Sequence, residues 1–89
     1  MNYEVVWTQE AENGLASTWL SATNREAIVV AADEIDQELS DNPLQVGESR
    51  AVSQRIHFHP PLVIYFSVLE AEKSVVVTSC QLIPRSRKK

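Results

Sequence analysis

Apolar and polar positions repeat with two different periods along the chain, and the change of period separates strands from helices. An alternating run over residues 3–7 predicts a short first strand. Apolar residues then recur three or four positions apart from Ala11 to Ala22 and again from Ile28 to Leu39, which predicts two helices. Three further runs of strand length and composition follow, so the predicted order is β-α-α-β-β-β.

Capping residues locate the helix ends. Thr8 is a good N-cap for the first helix, and Glu10 and Glu12 lie in its first turn, where the helix dipole favours acids. Thr23 with Glu26 three residues later matches a capping box, which starts the second helix immediately after the first. Since the connection is so short, we predict an antiparallel helical hairpin.

Three features of this hairpin carry further expectations. Gly14 costs about 1 kcal/mol relative to alanine inside a helix, and we expect it to allow close approach to a neighbouring element. Trp7 and Trp19 are predicted to be core anchors between sheet and helices. The acidic outer face of the second helix is predicted to be a solvated surface.

Two central strands are predicted to meet at a Pro-Pro corner. In the first of them, Ile56 and Phe58 alternate with Arg55, His57 and His59. Because strand side chains alternate between the two faces, we expect the apolar pair to be buried and the other three to form an exposed basic face. Any chemistry is expected on that face.

The second central strand, residues 62–69, is apolar at nearly every position, which indicates a strand covered on both faces. A valine-rich last strand over residues 74–83 can complete an antiparallel meander. We therefore predict an α+β fold in which the helical hairpin packs on one face of a small, twisted, mainly antiparallel sheet. Residues 1–84 form a single domain in this interpretation, and residues 85–89 form a basic tail. The pairing of the first strand stays open.

The net charge of −4 is divided unevenly along the 89 residues. Residues 1–42 carry a net charge of −8 and residues 43–89 a net charge of +4, which favours a polar partner for the second half or mutual neutralisation of the halves. The lone cysteine, Cys80, lies in an apolar run and is predicted to be a small core residue. Without a signal-peptide pattern or a membrane-length apolar run, we expect a cytoplasmic protein.

The candidate site consists of Arg50, Arg55, His57 and His59. Arginine can stabilise phosphate charge and histidine can move protons near neutral pH, so these residue types suit RNA cleavage through the 2′-hydroxyl. The competing interpretation is an ordinary polar strand face. The two histidines could also begin a metal site, but no third ligand stands at a plausible spacing, so neither a metal nor a cofactor is predicted.

Several segments together carry a family resemblance. They are Tyr3-Glu4-Val5-Val6-Trp7-Thr8 with Ala11, Leu15 and Trp19, then Asp41-Asn42-Pro43-Leu44 with Gly47-Glu48-Ser49-Arg50, and finally Arg55 with Pro61-Leu62-Val63-Ile64-Tyr65-Phe66-Ser67-Val68 and the valine-rich last strand. In this order the chain resembles the RelE/ParE toxin superfamily of bacterial toxin–antitoxin systems. The resemblance implies a helical hairpin on a small twisted sheet and an antitoxin whose C-terminal segment wraps the toxin.

RelE-like members cleave messenger RNA in the ribosomal A site, whereas ParE-like members poison DNA gyrase. The chain is acidic where RelE-like nucleases are strongly basic, and residues 79–82 lack the histidine that many members carry near the end of the last strand. The resemblance and these departures favour a toxin-like subunit of a type II, plasmid-stabilisation-type system that binds a macromolecular target and is neutralised by a cognate antitoxin.

Two alternatives accompany this hypothesis. One is a ribosome-dependent mRNA endoribonuclease that uses Arg50, Arg55, His57 and His59, and the other is a non-toxic binding module on the same scaffold. The ribosome with its mRNA and DNA gyrase are the candidate targets. We expect no membrane contact and no small-molecule substrate, and the oligomeric state stays open.

Overall fold

A computed structural model describes residues 2–51 and 54–83, with residues 50 and 51 described by their backbone alone. The elements are β1 (Glu4–Trp7), α1 (Gln9–Ser21), α2 (Arg25–Asp41), a 3-10 turn (Pro43–Gln45), β2 (Glu48–Ala51), β3 (Gln54–His59), β4 (Leu62–Leu69), a second 3-10 turn (Glu70–Glu72) and β5 (Ser74–Leu82). The predicted α+β class is confirmed. The structure adds one strand to the predicted order, because β2 and β3 pair as separate strands.

The strands form one mixed sheet in the order β1-β5-β4-β3-β2. The pairs β2–β3, β3–β4 and β4–β5 are antiparallel, as the meander predicts. Strand β1 instead runs parallel to β5, with Val5 opposite Val75 and Trp7 opposite Val77. A parallel pair needs a long crossover, and the helical hairpin together with β2–β4 supplies it.

The core lies between α2 and the middle of the sheet. Helix α2 buries a stripe of residues at helical spacing, namely Ile28, Ala31, Ile35 and Leu39. The opposing sheet surface consists of the fully buried residues Leu62, Ile64, Phe66, Val75 and Val77. Removing these side chains from water supplies the main stabilisation, at about 1.5–3 kcal/mol for each large aliphatic or aromatic residue.

Helix α1 begins as predicted, because the Thr8 hydroxyl accepts a hydrogen bond of 3.1 Å from the Ala11 amide. The predicted cap of α2 at Thr23 is wrong by one residue. Asn24 is the N-cap, and its Oδ1 accepts a hydrogen bond of 3.1 Å from the Ala27 amide. Asparagine caps at least as well as threonine, so the shift carries no energetic cost.

The shifted start places Arg25 at the first position of α2, next to the end of α1. Its Nε donates to the Trp19 carbonyl at 3.0 Å and its Nη2 to the Leu20 carbonyl at 3.2 Å. These carbonyls belong to the last turn of α1, whose partial negative charge a guanidinium neutralises. Arg25 therefore links the start of α2 to the end of α1. No helix in the described part of the chain is long and apolar enough to cross a lipid bilayer.

Candidate functional site

The register of β3 decides which face its histidines occupy. His57 lies opposite Ile64 and His59 lies opposite Leu62, both of which belong to the buried core. Since residues opposite each other in an antiparallel pair share a face, the imidazoles lie on the side of the sheet that the helices cover. Their side chains are each 19% exposed. The predicted exposed basic face is therefore wrong for the two histidines.

The other face of β3 carries Ile56 and Phe58, which lie opposite Tyr65 and Val63. Ile56 is buried as predicted, but Phe58 is 53% exposed, which contradicts its expected burial. An exposed phenylalanine is tolerated beside the edge strand β2 because much of any protein surface is apolar.

Two glutamates of α2 meet the imidazoles. The Nε2 atom of His57 lies 3.0 Å from Oε1 of Glu38, and the Nε2 atom of His59 lies 2.8 Å from Oε1 of Glu34. The second ring nitrogen of His59, Nδ1, lies 3.5 Å from the same Oε1 of Glu38. These glutamates stand one helical turn apart on α2, so their side chains reach β3 side by side.

We call this group the imidazole–carboxylate cluster; it consists of Glu34, Glu38, His57 and His59. The expectation that the acidic face of α2 is only solvated is therefore wrong, because two of its glutamates contact β3. The donor atoms of Glu38, His57 and His59 lie within 4.8 Å of one another, close enough to bind one metal ion. Helical and strand periodicity could not reveal the cluster, because its halves are about 20 residues apart in sequence. The sequence signals for the cluster are the spacing of the two glutamates, i and i+4 on a helix, and of the two histidines, i and i+2 on a strand.

Arg55 holds the loop that leads into β2. Its Nε donates to the Val46 carbonyl at 3.1 Å and its Nη2 donates to the Gly47 carbonyl at 3.2 Å. These bonds occupy two of the guanidinium's donors and leave the others for a further ligand. The backbone of Arg50 lies in β2. The side chain of Arg50 and the basic tail at residues 85–89 lie outside the described residues.

A second feature is an apolar groove between α1 and α2, with a volume of about 590 Å³. Its apolar lining includes Trp7, Leu15, Ala16, Trp19, Ile28, Val29 and Ala32. Glu12, Asp33 and Asp36 stand among the lining residues and give the groove an acidic rim. The Trp7 indole donates to Oδ1 of Asp36 at 3.3 Å, which ties β1 to the rim.

Trp19 is 39% exposed, so its predicted role as a core anchor is wrong. Trp7 is half-buried and packs against the core, as predicted. The sequence carries a signal for this groove that the single apolar stripe of α2 does not include. Val29 lies outside the apolar stripe of α2, is 56% exposed and lines the groove. Large apolar residues on both sides of a helix indicate a second surface that packs against something.

No protein-family model and no curated protein matches the chain in sequence. Solved structures match it in three dimensions. The toxin–antitoxin complex RelBE2 from Mycobacterium tuberculosis has a TM-score of 0.76 at 16% identity, and the match covers 93% of each chain. The chromosomal ParDE toxin–antitoxin system from P. aeruginosa has a TM-score of 0.69 at 16% identity, covering 92% of this chain and 97% of that chain.

The same fold occurs as part of a different protein. TrmO from Pseudomonas aeruginosa matches with a TM-score of 0.59 at 15% identity, covering 89% of this chain and 35% of that chain. At such identities the likeness demonstrates a shared fold, so the resemblance to RelE/ParE toxins is confirmed at the level of the fold. A fold can carry several functions, and the argument for function has to come from its surfaces.

Proposed function

We propose that this protein is a toxin-like subunit of a type II toxin–antitoxin system, located in the cytoplasm and neutralised by a cognate antitoxin. The observation that carries the proposal is the match to RelBE2 and ParDE, which extends over 93% and 92% of this chain. Both solved structures are of toxin–antitoxin pairs. Toxicity would come from contact with a macromolecular target.

The groove between α1 and α2 is the surface we assign to the antitoxin. Its floor is apolar, and an apolar surface of this kind on a small domain indicates a docking site for another chain. Its rim carries Glu12, Asp33 and Asp36, which would attract basic side chains. The fitting occupant is an amphipathic antitoxin segment with apolar anchors flanked by lysine or arginine.

Two experiments test this proposal. The chain is induced alone in a bacterial host under tight control, and it is then co-expressed with the product of the adjacent gene. We expect growth arrest in the first case, and rescue with co-purification of a stable complex in the second. Two soluble proteins that form no complex, together with unimpaired growth, would contradict the proposal.

The rates of protein and DNA synthesis after induction separate the candidate targets. Rapid loss of translation with cleaved transcripts would favour the ribonuclease alternative, for which Arg50, Arg55, His57 and His59 are the candidate residues. Failing DNA synthesis with filamentation would assign gyrase as the target. If transcripts are cleaved, Arg55→Ala and His57→Ala test the assignment, because loss of a catalytic group should abolish cleavage.

A further inference from the structure

The imidazole–carboxylate cluster converges on a single oxygen atom. Oε1 of Glu38 lies 3.0 Å from Nε2 of His57 and 3.5 Å from Nδ1 of His59. The two rings meet edge to face at 66°, with their centroids 5.8 Å apart. One ligand atom from each of Glu38, His57 and His59 lies within 4.8 Å of the other two, so the three side chains are close enough to share one metal ion.

The two carboxylates that face the His59 ring favour a cation at this place. Nε2 of His59 faces Glu34 at 2.8 Å while Nδ1 faces Glu38 at 3.5 Å. A neutral imidazole donates through one nitrogen and accepts through the other, so it satisfies one of these carboxylates and meets the second with a lone pair. A cation between Nδ1 and Glu38 resolves the conflict without a second proton on the ring.

Zinc fits these distances. Ligand atoms bound at about 2.0–2.1 Å in a tetrahedral arrangement stand roughly 3.3 Å apart. The two separations from Oε1 of Glu38 to the imidazole nitrogens, 3.0 Å and 3.5 Å, bracket this value. Two imidazoles and one carboxylate are ligands that zinc accepts, and the set leaves a fourth position for water.

Glu34 supplies the outer shell of such a site. A histidine that binds a metal through one nitrogen commonly donates the other N–H to a carboxylate, which fixes the ring and raises its basicity as a ligand. The contact of 2.8 Å between Nε2 of His59 and Glu34 has this form. The side chains of Glu38 and Glu34 are 41% and 59% exposed, so an ion can enter from solvent.

We propose that His57 through Nε2, His59 through Nδ1 and Glu38 through its carboxylate bind one divalent transition-metal ion, Zn²⁺ in the first instance, with Glu34 orienting His59. The ion would join β3 to α2, two elements far apart in the chain, and would stabilise the folded protein because the unfolded chain lacks the preformed site. The site goes beyond the proposed toxin function and does not depend on it.

Calorimetric titration of the chelator-treated protein with ZnCl₂ at pH 7.5 tests the proposal directly. We expect saturable binding of one ion per chain and a melting temperature that rises with zinc concentration. Cobalt(II) should give the intense visible absorption of a four-coordinate site. Absence of saturable zinc binding to the folded parent protein would overturn the proposal without any variant.

Variants assign the ligands. His57→Asn and His59→Asn should each weaken zinc binding by more than the ~10–100-fold that loss of an outer-shell partner costs, and Glu34→Gln should fall within that range. Glu26→Gln is the matched control, since it removes one carboxylate from an exposed position of the same helix, about two turns before Glu34, and should leave the zinc affinity unchanged. Unaltered affinity in both histidine variants would also overturn the proposal, because the ion would then bind elsewhere. If either histidine variant fails to fold, Glu38→Gln replaces it.

Discussion

Gly14 of α1 lies directly against the backbone carbonyl of Cys80 in β5, and a Cβ atom at Gly14 would collide with that oxygen. The sequence predicts a close approach at this glycine, and the structure identifies the neighbour. Since the obstacle is main chain in a paired strand, it cannot rotate away as a side chain could. The glycine therefore sets the distance at which α1 packs on the sheet.

Gly14→Ala should destabilise the protein although alanine is the better helix former. The propensity gain is about 1 kcal/mol, whereas overpacking against fixed backbone costs ~1–3 kcal/mol or more. We expect the free energy of unfolding in urea to fall. Ser17→Ala, at an exposed position of the same helix, is the control and should be neutral or slightly stabilising. Equal behaviour of the two variants would show that α1 does not pack at the described distance.

The spacing of apolar residues predicts the helices and the main strands correctly, because an element with one buried side repeats apolar residues at a regular interval. It assigned the stripe of Ile28, Ala31, Ile35 and Leu39 correctly, since α2 has one core-facing side along most of its length. It could not fix the pairing of β1, because parallel and antiparallel partners for a four-residue strand give the same alternation.

The face of β3 was assigned wrongly for a related reason. Alternation divides a strand into two faces but does not say which one the helices cover, and hydrophobicity alone favoured Phe58 for the covered side. The histidines take that side because Glu34 and Glu38 satisfy them there. A buried polar group is tolerated when it is paired, and the partner is about 20 residues away in the chain.

Arg55 should matter for the fold whether or not it touches a target. The bonds from its guanidinium to the carbonyls of Val46 and Gly47 hold a turn in which Gly47 has φ of +73°, a conformation that favours glycine. Lysine cannot reproduce the two-pronged contact. We expect Arg55→Lys to lower the free energy of unfolding by ~1–3 kcal/mol.

Arg55→Lys also distinguishes a role of Arg55 in stability from a role in transcript cleavage. If the arginine acts on phosphate, Arg55→Lys should reduce any transcript cleavage beyond the loss expected from its unfolded fraction at the assay temperature. A variant with parental stability would contradict the structural role. Urea unfolding followed by tryptophan fluorescence and a cleavage assay on the same preparation measure both quantities.

Cys80 should make the protein less stable in alkali. Burial raises the pKa of its thiol from the usual 9.0 to about 11. Between these values the unfolded chain loses the thiol proton while the native protein keeps it, so stability falls as pH rises. The expected loss from this group is ~2 kcal/mol by pH 11.

Cys80→Ala isolates that effect. The variant is expected to be less stable than the parent at pH 8, because a buried group is removed, and the difference in unfolding free energy should shrink as pH rises from 9 to 11. A difference that stays constant with pH would show that the thiol is not shielded from water in the folded protein.

Trp19 and Leu20 provide a matched pair for the antitoxin surface. Trp19 lines the groove between α1 and α2 and is 39% exposed, whereas Leu20 is 64% exposed and is not among the groove's lining residues. Exposed tryptophans in apolar clefts are frequent binding hot spots, whose truncation costs ~2 kcal/mol or more. Trp19→Ala should therefore weaken the antitoxin complex by roughly 30-fold or more.

The isolated protein should also lose some stability, because the Trp19 side chain is only partly exposed. In the isolated protein Trp19→Ala removes the stacking of Arg25 on the indole, 4.6 Å from the ring centroid, which is worth ~0.5–1 kcal/mol at an exposed site. Leu20→Ala should leave the affinity for antitoxin near the parental value. Calorimetric titration of antitoxin into each purified variant measures the affinity. A complex that tolerates Trp19→Ala as well as Leu20→Ala would place the antitoxin on another surface, because a segment seated in the groove has to contact the indole.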